Sequence, residues 1–344
     1  MNSKTPKTLL FRADGGVKLG FGHLRRCLAL ASAAKDQGYQ PILVTRTTPA
    51  NLKKMSSPPN MPICHLAHAL NLADDATRTA RIAQQHHSRT VIVDGYTFKS
   101  AFFRRLRQAQ LNVVAIKDEV TSSPDINLII NSNPAVKKSH YRKLGREKGV
   151  LAGAKYIMIG NDILRQRHHQ ETSQLLISLG GARWPNELLC QIARGLQPIS
   201  HHFKKITWVL HDSLGPSWQT LLPKNTSIQA PGGNFPRQLA GATLVLTGGG
   251  VTLGECAFLG KPSVTLILAK NQAAHALSYA KNGTTFPIPA LLKTDWRQLS
   301  KRLPEVFTPL LNHAKRNRMS QAGRHLVDGR GANRVIQAIS KSFY

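Results

Sequence analysis

The sequence predicts an α/β protein of two doubly wound domains that face each other across a cleft. Three observations carry that prediction. Short apolar runs alternate with helical stretches along most of the 344 residues, the alternation restarts near Gln174, and in each half a glycine-rich loop follows an apolar run and opens a helix. Alternating strand and helix signals imply parallel sheets covered by helices. Ligands of such sheets sit beyond the carboxyl ends of the strands. The length also suits two domains of roughly 150–180 residues better than one.

In the first half, runs at 8–12, 41–45, 90–93, 112–116 and 128–130 read as strands. Between the first two, Leu24, Cys27, Leu28, Ala31 and Ala34 recur on one helical face, and Gly38 closes the helix. The polar, basic stretch 165–171 reads as a linker, which assigns 1–164 to an N-terminal domain. Runs at 174–179, 206–210, 243–246 and 263–268, each followed by glycine or a turn residue, then build a C-terminal domain over 165–331. Residues 332–342 are helical, and the segment 332–344 is expected to pack back onto the first domain.

Hydrophobic residues make up 41% of the chain, enough for two cores, and no apolar run approaches the roughly 20 residues that span a bilayer. Near the N-terminus the run Thr8-Leu9-Leu10-Phe11 is interrupted by Arg12 and Asp14, too soon for a signal-peptide core. Cys27, Cys64, Cys190 and Cys256 lie far apart without a C-x-x-C pair, as expected of reduced thiols in a cytoplasmic protein. The histidine pairs at 86–87, 168–169 and 201–202 lack metal-ligand spacing, and neither a metal nor a cofactor is expected. The formal net charge of +30 predicts attraction to polyanions. Its dispersal, without a Lys/Arg block or an RNA-binding aromatic motif, points to weak association with anionic membranes or polyanions and to no specific nucleic-acid partner.

The first chemical signal is Arg12-Ala13-Asp14-Gly15-Gly16-Val17-Lys18-Leu19-Gly20-Phe21-Gly22-His23, running from the first strand into a helix. Gly15, Gly16, Gly20 and Gly22 let the backbone turn sharply and approach a ligand closely. The dinucleotide fingerprint G-x-G-x-x-G is absent. His23, in the first helical turn, feels the positive end of the helix dipole, which disfavours imidazolium. It is expected to be neutral and able to accept a proton from water. Asp14 would orient the imidazole or the water. Taken alone, His23 could equally serve only to cap its helix.

The second signal is Gly248-Gly249-Gly250, followed by a helix start at Thr252. Backbone N–H groups in such a turn form a cradle that can hold a diphosphate without metal. Glu255, in the first helical turn, would accept hydrogen bonds from ribose hydroxyls, or else only complement the helix terminus. Asn271 and Gln272, at the end of the next strand, face the same cleft or cap the following helix.

Together these strings resemble the UDP-sugar hydrolase family of pseudaminic acid biosynthesis (PseG/SpsG), which is related in fold to GT-B glycosyltransferases such as the lipid II N-acetylglucosaminyltransferase. The likeness runs from about residue 8 to about 335 and also includes Arg26 to Ala31, Val93-Asp94-Gly95-Tyr96, Leu179-Gly180-Gly181 and Asp328-Gly329-Arg330-Gly331-Ala332. It implies a GT-B-like pair of Rossmann-like domains and a metal-independent hydrolase. The substrate would be UDP-2,4-diacetamido-2,4,6-trideoxy-β-L-altropyranose, cleaved with inversion to UDP and the free sugar for pseudaminic acid synthesis. His23 matches the general base, with Asp14 and Tyr96 beside it in the catalytic group. Substrate contacts would come from Arg12, Gly15, Gly16, Gly20, Gly22, Asp94, Gly180, Gly181, Gly248, Gly249, Gly250, Thr252, Glu255, Asn271 and Gln272.

The chain departs from that family at Gly95, at Lys117-Asp118 and at Ala182-Arg183-Trp184, where Lys117 and Arg183 would add positive charge beside the diphosphate. The alternative is a GT-B glycosyltransferase that passes the sugar to an alcohol acceptor, with His23 activating the acceptor hydroxyl. A non-catalytic nucleotide binder is the third reading.

Overall fold

The computed structural model describes residues 7–16, 19–55, 60–146, 148–210 and 216–344. The N-terminal residues 1–6 and the loop residues Val17 and Lys18 lie outside them. Two parallel sheets form the frame. The first contains β1 (Thr8–Ala13), β2 (Gln40–Thr45), β3 (Ile63–His65), β4 (Thr90–Asp94), β5 (Asn112–Ile116), β6 (Leu128–Asn131) and β7 (Val150–Ala152). The second contains β8 (Gln174–Ser178), β9 (Lys205–Val209), β10 (Thr226–Gln229), β11 (Ala242–Gly248), β12 (Ser263–Ile267) and β13 (Thr285–Pro289). Their orders are β3-β2-β1-β4-β5-β6-β7 and β10-β9-β8-β11-β12-β13.

In each sheet the direction of winding reverses once, between β1 and β4 and between β8 and β11. Loops at such a point diverge to opposite faces and leave a crevice beyond the strand ends. Both glycine loops occupy these crevices: one follows β1, the other β11. The two signals therefore flank the switch points from opposite sides, the first after the first strand of its sheet and the second after the fourth.

Both faces of the first sheet are dry. Leu9, Phe11 and Ala13 of β1 enter one apolar cluster and Leu10 the other, all fully buried. Such burial explains the unbroken apolar strands, since parallel sheets are covered on both sides. The helix Gly22–Asp36 buries Leu24, Cys27, Leu30, Ala31 and Ala34 against this sheet. Val335, Ile336 and Ile339 of the helix Gly331–Phe343 belong to the same cluster, and the Tyr344 hydroxyl bonds Thr90 Oγ1 at 3.1 Å. Ile157, Ile159 and Ile163, by contrast, join a core of the second sheet.

The two halves touch directly at the crevices. Arg25 Nη2 donates to Glu255 Oε1 at 2.6 Å. A Cβ added at Gly181 would lie 2.8 Å from the ring of Phe21, so the loop after β8 approaches the first glycine loop too closely for any side chain there. Among the described residues no helix is long and apolar enough to cross a membrane.

Candidate active site

His23 is the second residue of the helix that follows β1. Its Nδ1 lies 2.7 Å from Oδ1 of Asp94, the fully buried last residue of β4. A buried carboxylate accepts only, so Nδ1 carries the proton. In the neutral ring, the other nitrogen, Nε2, then holds the lone pair. An Arg26 nitrogen also lies 3.1 Å from Nδ1, but it is committed to Asp94 Oδ1 at 2.8 Å and the charged acceptor prevails. Register explains why Asp94 holds the ring. Ala13 of β1 pairs with Asp94 across the sheet, which puts the carboxylate level with the start of the helix.

Arg26, one helical turn after His23, ties this pair to a second carboxylate. Its Nε bonds Asp94 Oδ2 at 2.8 Å, and its Nη1 bonds Asp118, just beyond β5. Asp118 Oδ2 accepts the Tyr96 hydroxyl at 2.6 Å. Burial pushes the Asp118 carboxyl up, but the Arg26 guanidinium and the Tyr96 hydroxyl outweigh it and hold it well below the usual carboxylate range. The half-exposed Tyr96 ring stands edge-on to the imidazole, with centroids 4.7 Å apart. His23, Asp94, Arg26, Asp118 and Tyr96 thus form one continuous polar wall.

The facing wall is built on β11. Gly248, Gly249 and Gly250 turn into the helix Thr252–Leu259, whose first turn has no side-chain cap. Gln272 and His275, one turn apart on the helix Lys270–Lys281, brace this turn. Gly249 N–H donates to Gln272 Oε1 at 3.2 Å, and the Gly249 carbonyl accepts from His275 Nδ1 at 3.1 Å. A Cβ on Gly249 would come within 2.7 Å of the Gln272 Cβ, so only glycine fits. Asn271 stands beside the Tyr96 hydroxyl, reaching across from this wall to the other.

Glu255 is almost wholly buried in the first turn of the glycine-loop helix. Its Oε1 accepts from Arg25 Nε at 2.9 Å and Nη2 at 2.6 Å, joining the two halves, while Oε2 is buried with no hydrogen-bond partner. Burial pushes the Glu255 carboxyl up, against the pull of Arg25.

Between the walls lies a cleft of about 540 Å³, inside the roughly 300–1,000 Å³ of small-molecule sites. Of the residues read from the sequence, Gly20, Gly22, His23, Tyr96, Gly180, Gly181, Gly248, Gly249, Gly250, Thr252, Glu255, Asn271 and Gln272 line it. Five do not. Arg12 is fully buried, chelating Asp14 and Asp75 at 2.6–2.9 Å. Asp14 is spent on Arg12, on Thr45 and on the Arg46 N–H, so the role of orienting the imidazole belongs to Asp94 instead. Asp94 itself lies behind His23, out of reach of a ligand. Gly15 and Gly16 shape the loop, with Gly15 bonded to Thr47 and Gly16 paired through its backbone to Gly20.

The three departures read differently in space. Lys117 points away from the cleft, its Nζ on the Phe98 carbonyl and over the Phe103 ring, and Arg183 is exposed outside the cleft lining. Lys117 therefore adds no charge beside the glycine loop. A Cβ at Gly95 would meet the Phe98 ring at 2.7 Å, which explains the glycine there. Arg25, Arg26, Asp118 and His275 are site residues that the sequence reading did not single out. Arg26 carried a usable signal, since it lies one turn from His23 on the same helix face. Among the described residues no group of three or more His, Cys, Asp or Glu side chains is arranged to hold a metal ion.

This arrangement belongs to a recognised architecture. MurG of Acinetobacter baumannii superposes with a TM-score of 0.67 at 17% identity, covering 98% of this chain and 100% of the other. A glycosyltransferase of Rickettsia africae gives 0.62 at 12%, covering 98% of each. The UDP-GlcNAc 2-epimerase of Neisseria meningitidis, bound to UDP-GlcNAc, gives 0.64 at 13%, covering 97% of this chain and 100% of that one. The chain has a GT-B-like fold. No protein-family model matches it. In sequence it is 22% identical over 275 residues to an uncharacterized protein of Methanocaldococcus jannaschii, a match covering 74% of this chain and about half the length (54%) of that relative.

Proposed function

We propose that the cleft binds a UDP-linked sugar and that His23, held by Asp94, accepts a proton from the hydroxyl that attacks the anomeric carbon. One observation carries this reading: an imidazole held through Nδ1 by a buried carboxylate stands across a single cleft from a triple-glycine turn that opens a helix. The helix start beside that turn favours a diphosphate, and the Glu255 carboxylate, which lines the cleft, suits a ribose hydroxyl. UDP departs readily, so catalysis requires chiefly that the nucleophile be positioned and the charge on the departing diphosphate be met.

The hydroxyl is that of an acceptor alcohol, which makes the chain a glycosyltransferase. Support comes from fold neighbours named as glycosyltransferases, such as the Rickettsia africae protein. Hydrolysis is the second reading, favoured by His23, Tyr96, Asn271 and Glu255, whose residue types and order resemble the pseudaminic acid hydrolases. All four residues line the cleft.

One assay separates the two readings. UDP release from UDP-sugars is followed with and without a panel of acceptor alcohols, with the product anomer read by NMR. Release that requires acceptor, with a glycoside as product, supports transfer. Rapid release without acceptor, giving free sugar, supports hydrolysis. Absence of UDP release from every UDP-sugar under both conditions contradicts the proposal.

A further inference from the structure

His275 is an imidazole in the cleft that the reaction above leaves unused. It is half-buried, lines the cleft, and packs edge-on to Tyr279 with centroids 4.9 Å apart. The partner of its Nδ1 is the Gly249 carbonyl, which can only accept. That contact decides the tautomer. The Nδ1 proton is committed to the backbone of the glycine turn, and in the neutral ring Nε2 is a bare lone pair. A bare lone pair beside a diphosphate is repulsive, whereas the protonated ring presents a donor and a positive charge.

We infer that His275 is a proton-linked anion contact: it is neutral in the empty cleft and takes one proton from solvent onto Nε2 when a nucleoside diphosphate settles on the glycine turn. The inference rests on the proposal that the cleft binds such a ligand. In the empty protein, burial pushes the His275 imidazolium toward deprotonation, against the Gly249 carbonyl and Asp118, which favour the charged form. An incoming diphosphate reverses that balance, because an adjacent anion favours imidazolium.

His23 and Glu255 share the cleft with the ring. Across the cleft, Asp118 is held ionised by Arg26, and Arg26 stays cationic. On the same helix, burial pushes the Tyr279 phenol far up. Glu255, on the glycine-loop helix, is engaged with Arg25. The terminal phosphate of UDP ionises at about 6, below the range pH 7 to 8.5, and within that range the comparison with the His275 variants assigns any pH dependence of binding.

The test is calorimetry of UDP binding over that pH range in buffers of different ionisation enthalpy, which counts protons taken up. Wild-type protein should take up close to one proton at the lower end of the range. Its affinity should fall by up to about tenfold per pH unit as that uptake is lost. His275→Asn keeps an amide donor where Nδ1 stood, and so keeps the Gly249 brace, but it cannot protonate. It should bind UDP with no uptake and a flat pH dependence. His275→Gln, which instead keeps a donor near Nε2, should also be flat. UDP binding without proton uptake in the wild type, or with equal uptake in His275→Asn, overturns the inference while leaving the nucleotide-binding proposal standing. Failure of the wild type to bind UDP overturns both.

Discussion

Replacing Asp94 by asparagine tests how the base is prepared. The carboxylate receives three hydrogen bonds in a fully buried position: from His23 Nδ1 at 2.7 Å and from Arg26 Nε and Nη2 at 2.8 Å each. Asparagine keeps the shape but has one acceptor oxygen and one NH2 group. With its oxygen at the Oδ1 position the amide still accepts from Nδ1 and Arg26 Nη2, while its NH2 faces the Arg26 Nε donor. The ring keeps its tautomer, but the neutral amide no longer stabilises the positive charge that His23 gains on accepting the proton. Removing a general base lowers turnover by about 10²–10⁴-fold, and that bounds the expected loss in kcat for UDP release. Arg26 keeps Asp118, so the fold should survive, with a stability loss of about 2–3 kcal/mol for the charge-assisted hydrogen bonds removed. UDP affinity, which depends on the opposite wall, should barely change. Steady-state UDP release, UDP calorimetry and urea unfolding read these three quantities. Full turnover in a folded Asp94→Asn variant would refute the assignment of the Asp94 carboxylate as the support of the base.

Three further outcomes follow from the two walls. Gly249→Ala brings a methyl to within 2.7 Å of Gln272 Cβ, an overpacking that costs about 1–3 kcal/mol in urea unfolding. The displaced amides should also weaken UDP binding by about tenfold or more, the worth of one charge-assisted hydrogen bond; unchanged affinity would mean that the turn is not the diphosphate cradle. Glu255→Ala should weaken UDP by about 10- to 150-fold, the equivalent of a hydrogen bond to a charged group, and should erase the difference between UDP and its 2′,3′-dideoxy analogue. A persisting difference would place the ribose elsewhere. Asp118→Asn should cost about 2 kcal/mol at neutral pH through weakened bonds to Arg26 and Tyr96. Because the folded carboxyl ionises well below its unfolded value, that stability is fully present above the ordinary carboxylate range and lost on acidification. The gap between wild type and variant should therefore close as pH falls below about 4, and a gap that widens there would contradict the ion pair.

How far the sequence spoke can be traced strand by strand. The nine strands it predicts are the interior strands and their nearest neighbours, buried enough to carry unbroken apolar runs. The four it misses, β3, β7, β10 and β13, are the outermost strands of the two sheets. Two are only three residues long, β10 is polar and partly exposed, and β13 carries Pro287 and Pro289. Short, polar or proline-bearing edges guard against pairing with other chains, and the same features remove their signal. At the site, the glycine loops and His23 were legible because turn geometry and helix position are local properties. The exchange of Asp14 for Asp94 was not, because it depends on strand pairing that brings Asp94 level with the helix start and on Asp75, from a distant helix, fixing Arg12 against Asp14. His275 was hidden for a related reason. Only the packing of its helix against the triple-glycine turn gives the ring a partner.

The most direct test of the His23 base facing a diphosphate cradle is a paired measurement on His23→Asn. The asparagine amide can replace Nδ1 as donor to Asp94, while nothing replaces Nε2. The expected result is UDP affinity equal to wild type together with turnover lowered by about 10²–10⁴-fold. Wild-type turnover in the folded variant would contradict the account.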